Sequence, residues 1–305
     1  MDGITCTQIS IVIPTFNREQ VLLDTIECLL RQTVRPAELL IVDQTSQHEA
    51  ATCQALLDWE QQGAITLIRL PTPSVPLAMN TGLRKARQAL VLFLDDDIRA
   101  GPDLVAAHLD AYHKFPQASA VVGQIIQPNE QPGPAQFNHP RSGLYSDLFF
   151  PFWSTQEEWV SNVMAGNLSV RREAALAAGG FDENFTGVAC RFETEFARRL
   201  LRRGGKIRFY PAASIHHLYH PSGGTRSKQE NASGYSTRQG AGDYYFAFLE
   251  GRGTTKWHYI LGRLYHQLWT DFYLHNPWRI PAKVIAEFAN LLNGWAMART
   301  KRAGT

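Results

Sequence analysis

Short apolar runs recur along the first two thirds of the chain: ISIVIP at residues 9–14, then ELLIVD, AITLIRL, LVLFL, AVVGQII and KIRFYP. Each is too short for a helix and ends at turn-forming or acidic residues, so each is predicted to be a buried strand. Between them, apolar positions return every three or four residues. In NREQVLLDTIECLLRQTV, Leu22, Ile26, Leu29 and Leu30 share a helical stripe, with Asn17 placed as N-cap. HEAATCQALLDWEQQ reads as a second helix, PSVPLAMNTGLRKARQA as a proline-punctuated loop and short helix. GPDLVAAHLDAYHKF starts with Pro102 at the favoured first position. Strands alternating with helices predict an α/β, Rossmann-like fold with a mostly parallel central sheet covered on both faces. After Asp243 the pattern becomes continuously helical. Ile260, Leu261, Leu264, Leu268 and Phe272 recur at helical spacing among basic residues, which predicts a C-terminal helical extension.

In an open α/β sheet, ligands bind outside the carboxyl ends of the strands. Thr15, Asn17 and Arg18 follow the first strand, Asp43 the second, and Asp95, Asp96 and Asp97 the strand LVLFL, so these residues should meet on one rim. Three successive carboxylates at the end of a buried strand repel one another unless something positive neutralises them. Alternation puts Asp95 and Asp97 on one side and Asp96 on the other. Mg²⁺ typically takes one or two carboxylates and completes its shell with water and substrate phosphates, which suits such a pair. The competing reading is a solvated acidic turn before the helix at Pro102.

Composition narrows the classes. With 305 residues, 44% hydrophobic and 19% charged, the chain reads as one large domain with an appendage, and a net charge of +2 does not favour nucleic acid. Cys6, Cys28, Cys53 and Cys190 are far apart, which fits reduced thiols in a cytoplasmic protein rather than a zinc site or disulfide scaffold. No signal-like h-region precedes Ile9, and no apolar run reaches a membrane span. The Trp, Tyr, Lys and Arg of the C-terminal segment leave two readings open: peripheral contact with the inner face of a membrane, or packing on the catalytic domain or a second subunit. There is no GxxxxGK[ST], no GxGxxG after the first strand and no GxSxG.

VIPTFNREQVLLDTIECLLRQT, LLIVDQTS, FLDDDI, GNLSVRREAALAAGGFDENF and FETEFARRLLRRGGKIRFYPAASIHHL stand in the order of the family-two glycosyltransferase motifs. The chain resembles that family over roughly residues 9–226. The resemblance implies a GT-A fold and inverting transfer of a sugar from a nucleoside diphosphate donor, with Mg²⁺ or Mn²⁺. It implies a catalytic domain over residues 1–242, with a nucleotide half to about 126 and an acceptor half beyond, followed by the extension at 243–305. Carried over, Pro14, Thr15, Asn17 and Arg18 line the nucleoside pocket, Asp43 holds the base and Asn80 lies near the donor. Asp95 contacts the ribose beside Asp96, Asp97 binds the metal with His217, and Arg226 reaches the diphosphate from a loop. Gly166 and Asn167 fall at the wall between donor and acceptor. Family members carry an ED pair before a helix, with a carboxylate as general base; here FE replaces it, so Glu193 is the expected base and Glu195 its rival. The acceptor is a glycan, a lipid-linked glycan or a protein. The rival functions are a nucleotide-sugar binding protein without catalysis and a metal-dependent nucleotidyltransferase.

Overall fold

The computed structural model describes residues 8–137, 143–187, 189–224 and 237–303. The first half alternates as expected: β1 (Ile9–Thr15), α1 (Gln20–Leu30), β2 (Glu38–Asp43), α2 (Ala50–Gln61), β3 (Thr66–Arg69), α3 (Val75–Lys85) and β4 (Leu90–Leu94). Next come β5 (Ile98–Ala100), α4 (Leu104–Lys114), β6 (Ala120–Ile126), β7 (Glu158–Val160), β8 (Asn167–Arg171) and α5 (Arg172–Ala177). The chain continues through α6 (Phe192–Arg202), β9 (Ile207–His217), α7 (Thr237–Glu250), α8 (Gly253–Leu268), α9 (Asp271–His275) and α10 (Ile280–Ala303).

The strands form one mixed sheet in the order β3-β2-β1-β4-β8-β6-β9-β5, with β7 paired to β9. Strands β3, β2, β1 and β4 are mutually parallel, and this block is the expected α/β unit. Beyond it, β8 slips between β4 and β6 and runs antiparallel to both. Alternation along the parallel strands feeds two cores. Val12, Leu40, Val42, Val91 and Phe93 face one side with Met79 and Leu83 of α3 and Phe196 of α6. Ile11, Ile13, Leu39, Ile41 and Leu92 face the other with Leu22 and Ile26 of α1 and Leu109 of α4. Burying both faces is what makes β1, β2 and β4 nearly uniformly apolar, whereas β3, at the edge, is only partly covered.

Three local expectations are corrected. Asn17 is not the N-cap of α1, whose N-cap is Glu19; Asn17 adopts φ +53°, and its N–H donates to Thr45 Oγ1 at 2.8 Å. Helix α4 begins at Leu104, two residues past Pro102, because the chain after the three aspartates first forms β5 against β9. The boundary expected at 242/243 falls inside α7, whose Tyr244, Tyr245 and Phe246 are fully buried in the same core as α3 and α6.

Candidate active site

The carboxyl ends of β1, β2 and β4 open onto a cleft of about 330 Å³. Its walls include Pro14, Thr15 and Arg18 after β1, Asp95, Asp96 and Asp97 after β4, and Gly166, Glu193 and His217 from the second half. The sheet thus brings together residues more than a hundred positions apart.

The three aspartates divide their work. Arg18 donates from Nε to Asp96 Oδ1 and from Nη2 to Asp97 Oδ2, both at 3.1 Å, with all three side chains almost fully buried. Burial dominates Asp96 and outweighs Arg18, raising its pKa to about 6. Burial acts on Asp97 as well, but the hydrogen bond and charge of His217, together with Arg18 and the His220 N–H, hold it below its ordinary value. His217 Nε2 lies 3.2 Å from Asp97 Oδ1 and 3.6 Å from Asp95 Oδ2, so Asp95 and Asp97 do share a side. Arg18 reaches further, donating from Nη1 to the backbone carbonyls of His220 and Ser222. It thereby ties the turn after β9 to the turn after β1. A Cβ on Gly223, at φ +75°, would sit 2.0 Å from the Asn17 carbonyl oxygen, so only glycine permits this approach.

The donor set suits a divalent cation shared with substrate. His217 Nδ1 meets Gln127 Oε1 at 3.2 Å, which orients the ring so that Nε2 faces both carboxylates. A cation bound between them would take the place of the Nε2 proton, with the remaining proton kept on Nδ1 by Gln127. Among the described residues no group of three or more His, Cys, Asp and Glu is placed to hold a metal ion. A cation here would rest on one or two of these side chains and complete its shell with substrate phosphate oxygens and water.

Glu193, near the start of α6, lies on the cleft wall, and its Oε1 accepts the Ala165 N–H at 2.5 Å. Its rival is turned inward: Glu195 is buried, bonded to Arg199 Nε and Nη2 at 2.7 Å each, with Lys301 at 3.5 Å. Gly166 faces Asp95 so closely that a Cβ would lie 2.3 Å from Asp95 Oδ2.

Four expected positions do not line this cleft. Asp43 is fully buried, accepting from Thr45 N and pairing with His48 and Arg69, while its neighbour Gln44 faces the cleft. Asn80 spends its amide on the Phe181 backbone and Glu183, bracing the segment before α6. Asn167 is fully buried, bonded to His108 and to the carbonyls of Gln124 and Ala213. Asn17 turns the chain so that Arg18 reaches the aspartates. Arg226 lies outside the described residues. Two contributors went unnoticed in the sequence. Gln127 follows β6 directly, and the rule that singled out residues after β1, β2 and β4 would have found it. His220 acts through its backbone N–H, which carries no side-chain signal.

Against this geometry, the family profile described as glycosyl transferase family 2 matches residues 10–177. The chain belongs to glycosyl transferase family 2. The glucosyl-dolichyl phosphate glucuronosyltransferase of Haloferax volcanii is 27% identical to this chain over 183 residues. That match covers 58% of this chain and 56% of the relative, so the chain spans little more than half of that protein's length. Among solved structures, GalNAc-T7 with UDP, GalNAc and Mn²⁺ aligns with TM-score 0.58 and 17% identity, over 81% of this chain and 51% of the other. A mannosyltransferase from Pyrobaculum calidifontis in complex with GDP-Man and Mn²⁺ aligns with TM-score 0.55 and 17% identity, over 97% and 79%. The family-two chain therefore has the GT-A glycosyltransferase fold, with C-terminal helices appended.

Proposed function

We propose that this family-two chain is an inverting, metal-assisted glycosyltransferase. It moves a sugar from a nucleoside diphosphate donor to an acceptor hydroxyl in polysaccharide or glycoconjugate biosynthesis. The observation that carries the reading is a single cleft holding Asp95, Asp97 and His217 together with a carboxylate, Glu193, fixed by a backbone N–H.

Mg²⁺ or Mn²⁺ held by Asp97 and His217 would neutralise the donor diphosphate and its leaving charge. The chain's own groups do the rest. Gln127 keeps His217 oriented, and Arg18 fixes Asp96 and Asp97 in place before any ligand arrives. Phe93, Met79, Phe152 and Phe192 supply apolar walls against which a base or sugar face can lie. Glu193 takes the proton of the acceptor hydroxyl as its oxygen attacks the anomeric carbon; the bond from that carbon to the diphosphate oxygen breaks on the opposite face. The extra methylene of glutamate over aspartate is accommodated by the Ala165 N–H, which sets where the carboxylate sits. Acceptors to test are glycans, lipid-linked glycans and proteins; the Haloferax relative, whose name contains a dolichyl phosphate, motivates the lipid-linked class.

The test is a screen of UDP-, GDP- and dTDP-sugars reading nucleoside diphosphate release in the presence of acceptor. Release should vanish in EDTA and in Asp97→Ala. In Glu193→Gln it should fall by about 10²- to 10⁴-fold while donor binding persists. Full activity in EDTA, or release of pyrophosphate instead, would overturn the reading.

A further inference from the structure

Helix α10 is built inside out. Its buried positions include Lys283, Glu287 and Asn290, each no more than 6% exposed. Its exposed positions include Val284, Ile285, Phe288, Leu292 and Trp295, from 44% to 71% exposed. The polar face is engaged inward: Glu287 accepts from the Tyr244 hydroxyl at 2.8 Å and pairs with Lys283 at 2.9 Å. Helix α8 repeats the theme. Trp257, Leu261, Tyr265 and Trp269 follow one another every four residues on one exposed stripe, while Tyr259 and Ile260 pack inward. Between the two helices, Phe272, Leu274 and Trp278 are also exposed. An isolated exposed leucine needs no explanation, but two helices turning stripes of Trp, Phe, Leu and Ile outward do.

Charge decides what covers this face. Residues 251–305 hold eight Lys and Arg against two Asp and Glu, and although Arg263, Lys283 and Lys301 are spent on inward carboxylates, Arg252, Lys256, Arg279 and Arg299 reach the surface against Asp271, so the outward face is basic. A two-fold dimer through this face would set the basic segment against itself. A negatively charged lipid surface attracts it instead. Four of the chain's seven tryptophans lie here, at 257, 269, 278 and 295, each at least 45% exposed. Arg279 stacks on Phe272 and Arg299 on Trp295, the pairing of amphipathic ring and cation suited to the headgroup layer. No helix among the described residues is long and apolar enough to cross a membrane, so the contact is in-plane.

We infer that α8, the α9 turn and α10 form a platform that docks, in the plane of the interface, on a bilayer containing anionic lipid. The platform is joined to the cleft. Lys301 of α10 pairs with Asp182 and Glu195, and Asp243 of α7 pairs with Arg191 and Arg263, so the helices on the lipid brace the start of α6.

The experiment uses the full chain with vesicles of phosphatidylcholine alone or mixed with phosphatidylglycerol, read by co-sedimentation and tryptophan emission. The protein should sediment with the anionic vesicles, shift its emission to shorter wavelength, and dissociate as salt is raised. The surface variant Trp278→Ser/Ile285→Ser should bind about tenfold or more weakly with an unchanged circular dichroism spectrum. Arg279→Glu/Arg299→Glu should lose the preference for the anionic vesicles. Absence of binding to them at low salt would overturn the inference. So would light scattering showing a dimer in the wild type that the Trp278→Ser/Ile285→Ser variant dissolves. Neither readout uses donor turnover, so it stands or falls separately from the proposed activity.

Discussion

His108 lies behind the cleft, fully buried, with Ser169 Oγ at 2.9 Å from Nδ1 and Asn167 Oδ1 at 2.8 Å from Nε2. Burial disfavours its cation, and its pKa falls to about 4 although the Asn167 hydrogen bond pulls the other way. The unfolded imidazole titrates near 6.5, so between pH 6.5 and 4 the unfolded chain binds the extra proton. Its contribution to stability is therefore complete above 6.5 and is lost as pH falls toward 4. The gap corresponds to roughly 3 kcal/mol. Asp96 works in the opposite sense, since a folded pKa of about 6 makes the fold gain as pH falls through that value. The wild-type profile alone would thus be flattened. Comparison with His108→Gln isolates the histidine: urea unfolding should show the variant gaining roughly 3 kcal/mol on wild type between pH 7 and 4. A constant difference across that range would show that His108 titrates alike in the folded and unfolded chain, with no lowering by burial. Asn167, Asn80 and Asp43 are polar residues in strands or a helix near the rim in sequence, which marks them as candidates, although none lines the cleft. Their hydrogen-bond partners lie as far as 103 positions away, so nothing local reveals that the fold itself consumes them. Asp95 and Asp97 were legible because strand alternation and the rim rule are local.

At the level of elements, the start of α6 is the part of the site least supported by its own segment. Arg191, its N-cap, takes φ +74°, and no side chain caps the helix. It is held instead from α7, where Asp243 accepts Arg191 Nε at 2.7 Å, the Tyr259 hydroxyl at 2.8 Å and Arg263 Nη1. Burial acts to raise the Asp243 pKa, but the charges of Arg263 and Arg191 more than offset it and hold the carboxylate below its ordinary value. Asp243→Asn leaves two arginines facing no carboxylate there. Denaturant unfolding should show a loss of about 3–5 kcal/mol, the usual cost of removing one member of a buried charge cluster. A loss under about 1 kcal/mol would mean that solvent or Glu287 takes over the arginines. Elements were legible in proportion to their apolar length. The parallel strands announce themselves as uniform runs, whereas β5 and β7, three residues each, fall below any periodicity. The insertion of β8 between β4 and β6 depends on a long-range antiparallel pairing that no segment encodes by itself.

Over the whole molecule, the C-terminal helices pack into the same core as the helices that cover one face of the sheet. The change of composition at residue 243 suggested an appendage because it registers what faces outward: tryptophans, tyrosines and cations. The inward contacts say otherwise. Glu250 binds Arg202, Tyr145 donates to the Tyr259 carbonyl, and Lys301 bridges Asp182 and Glu195. The full chain should melt in one cooperative transition, and a chain ending at residue 250 should lose that transition in calorimetry. A stable trypsin-resistant core lacking residues 251–305 would show instead that the extension folds separately.

Arg18 and Asp96 are 78 positions apart in sequence and form one buried electrostatic unit. Losing Arg18 leaves Asp96 and Asp97 without their shared cation where water cannot reach them, whereas losing Asp96 leaves Arg18 still paired with Asp97. In descent the constraint therefore runs one way: relatives that change position 18 should change position 96 as well, while position 96, the middle aspartate of the run, can change with Arg18 kept.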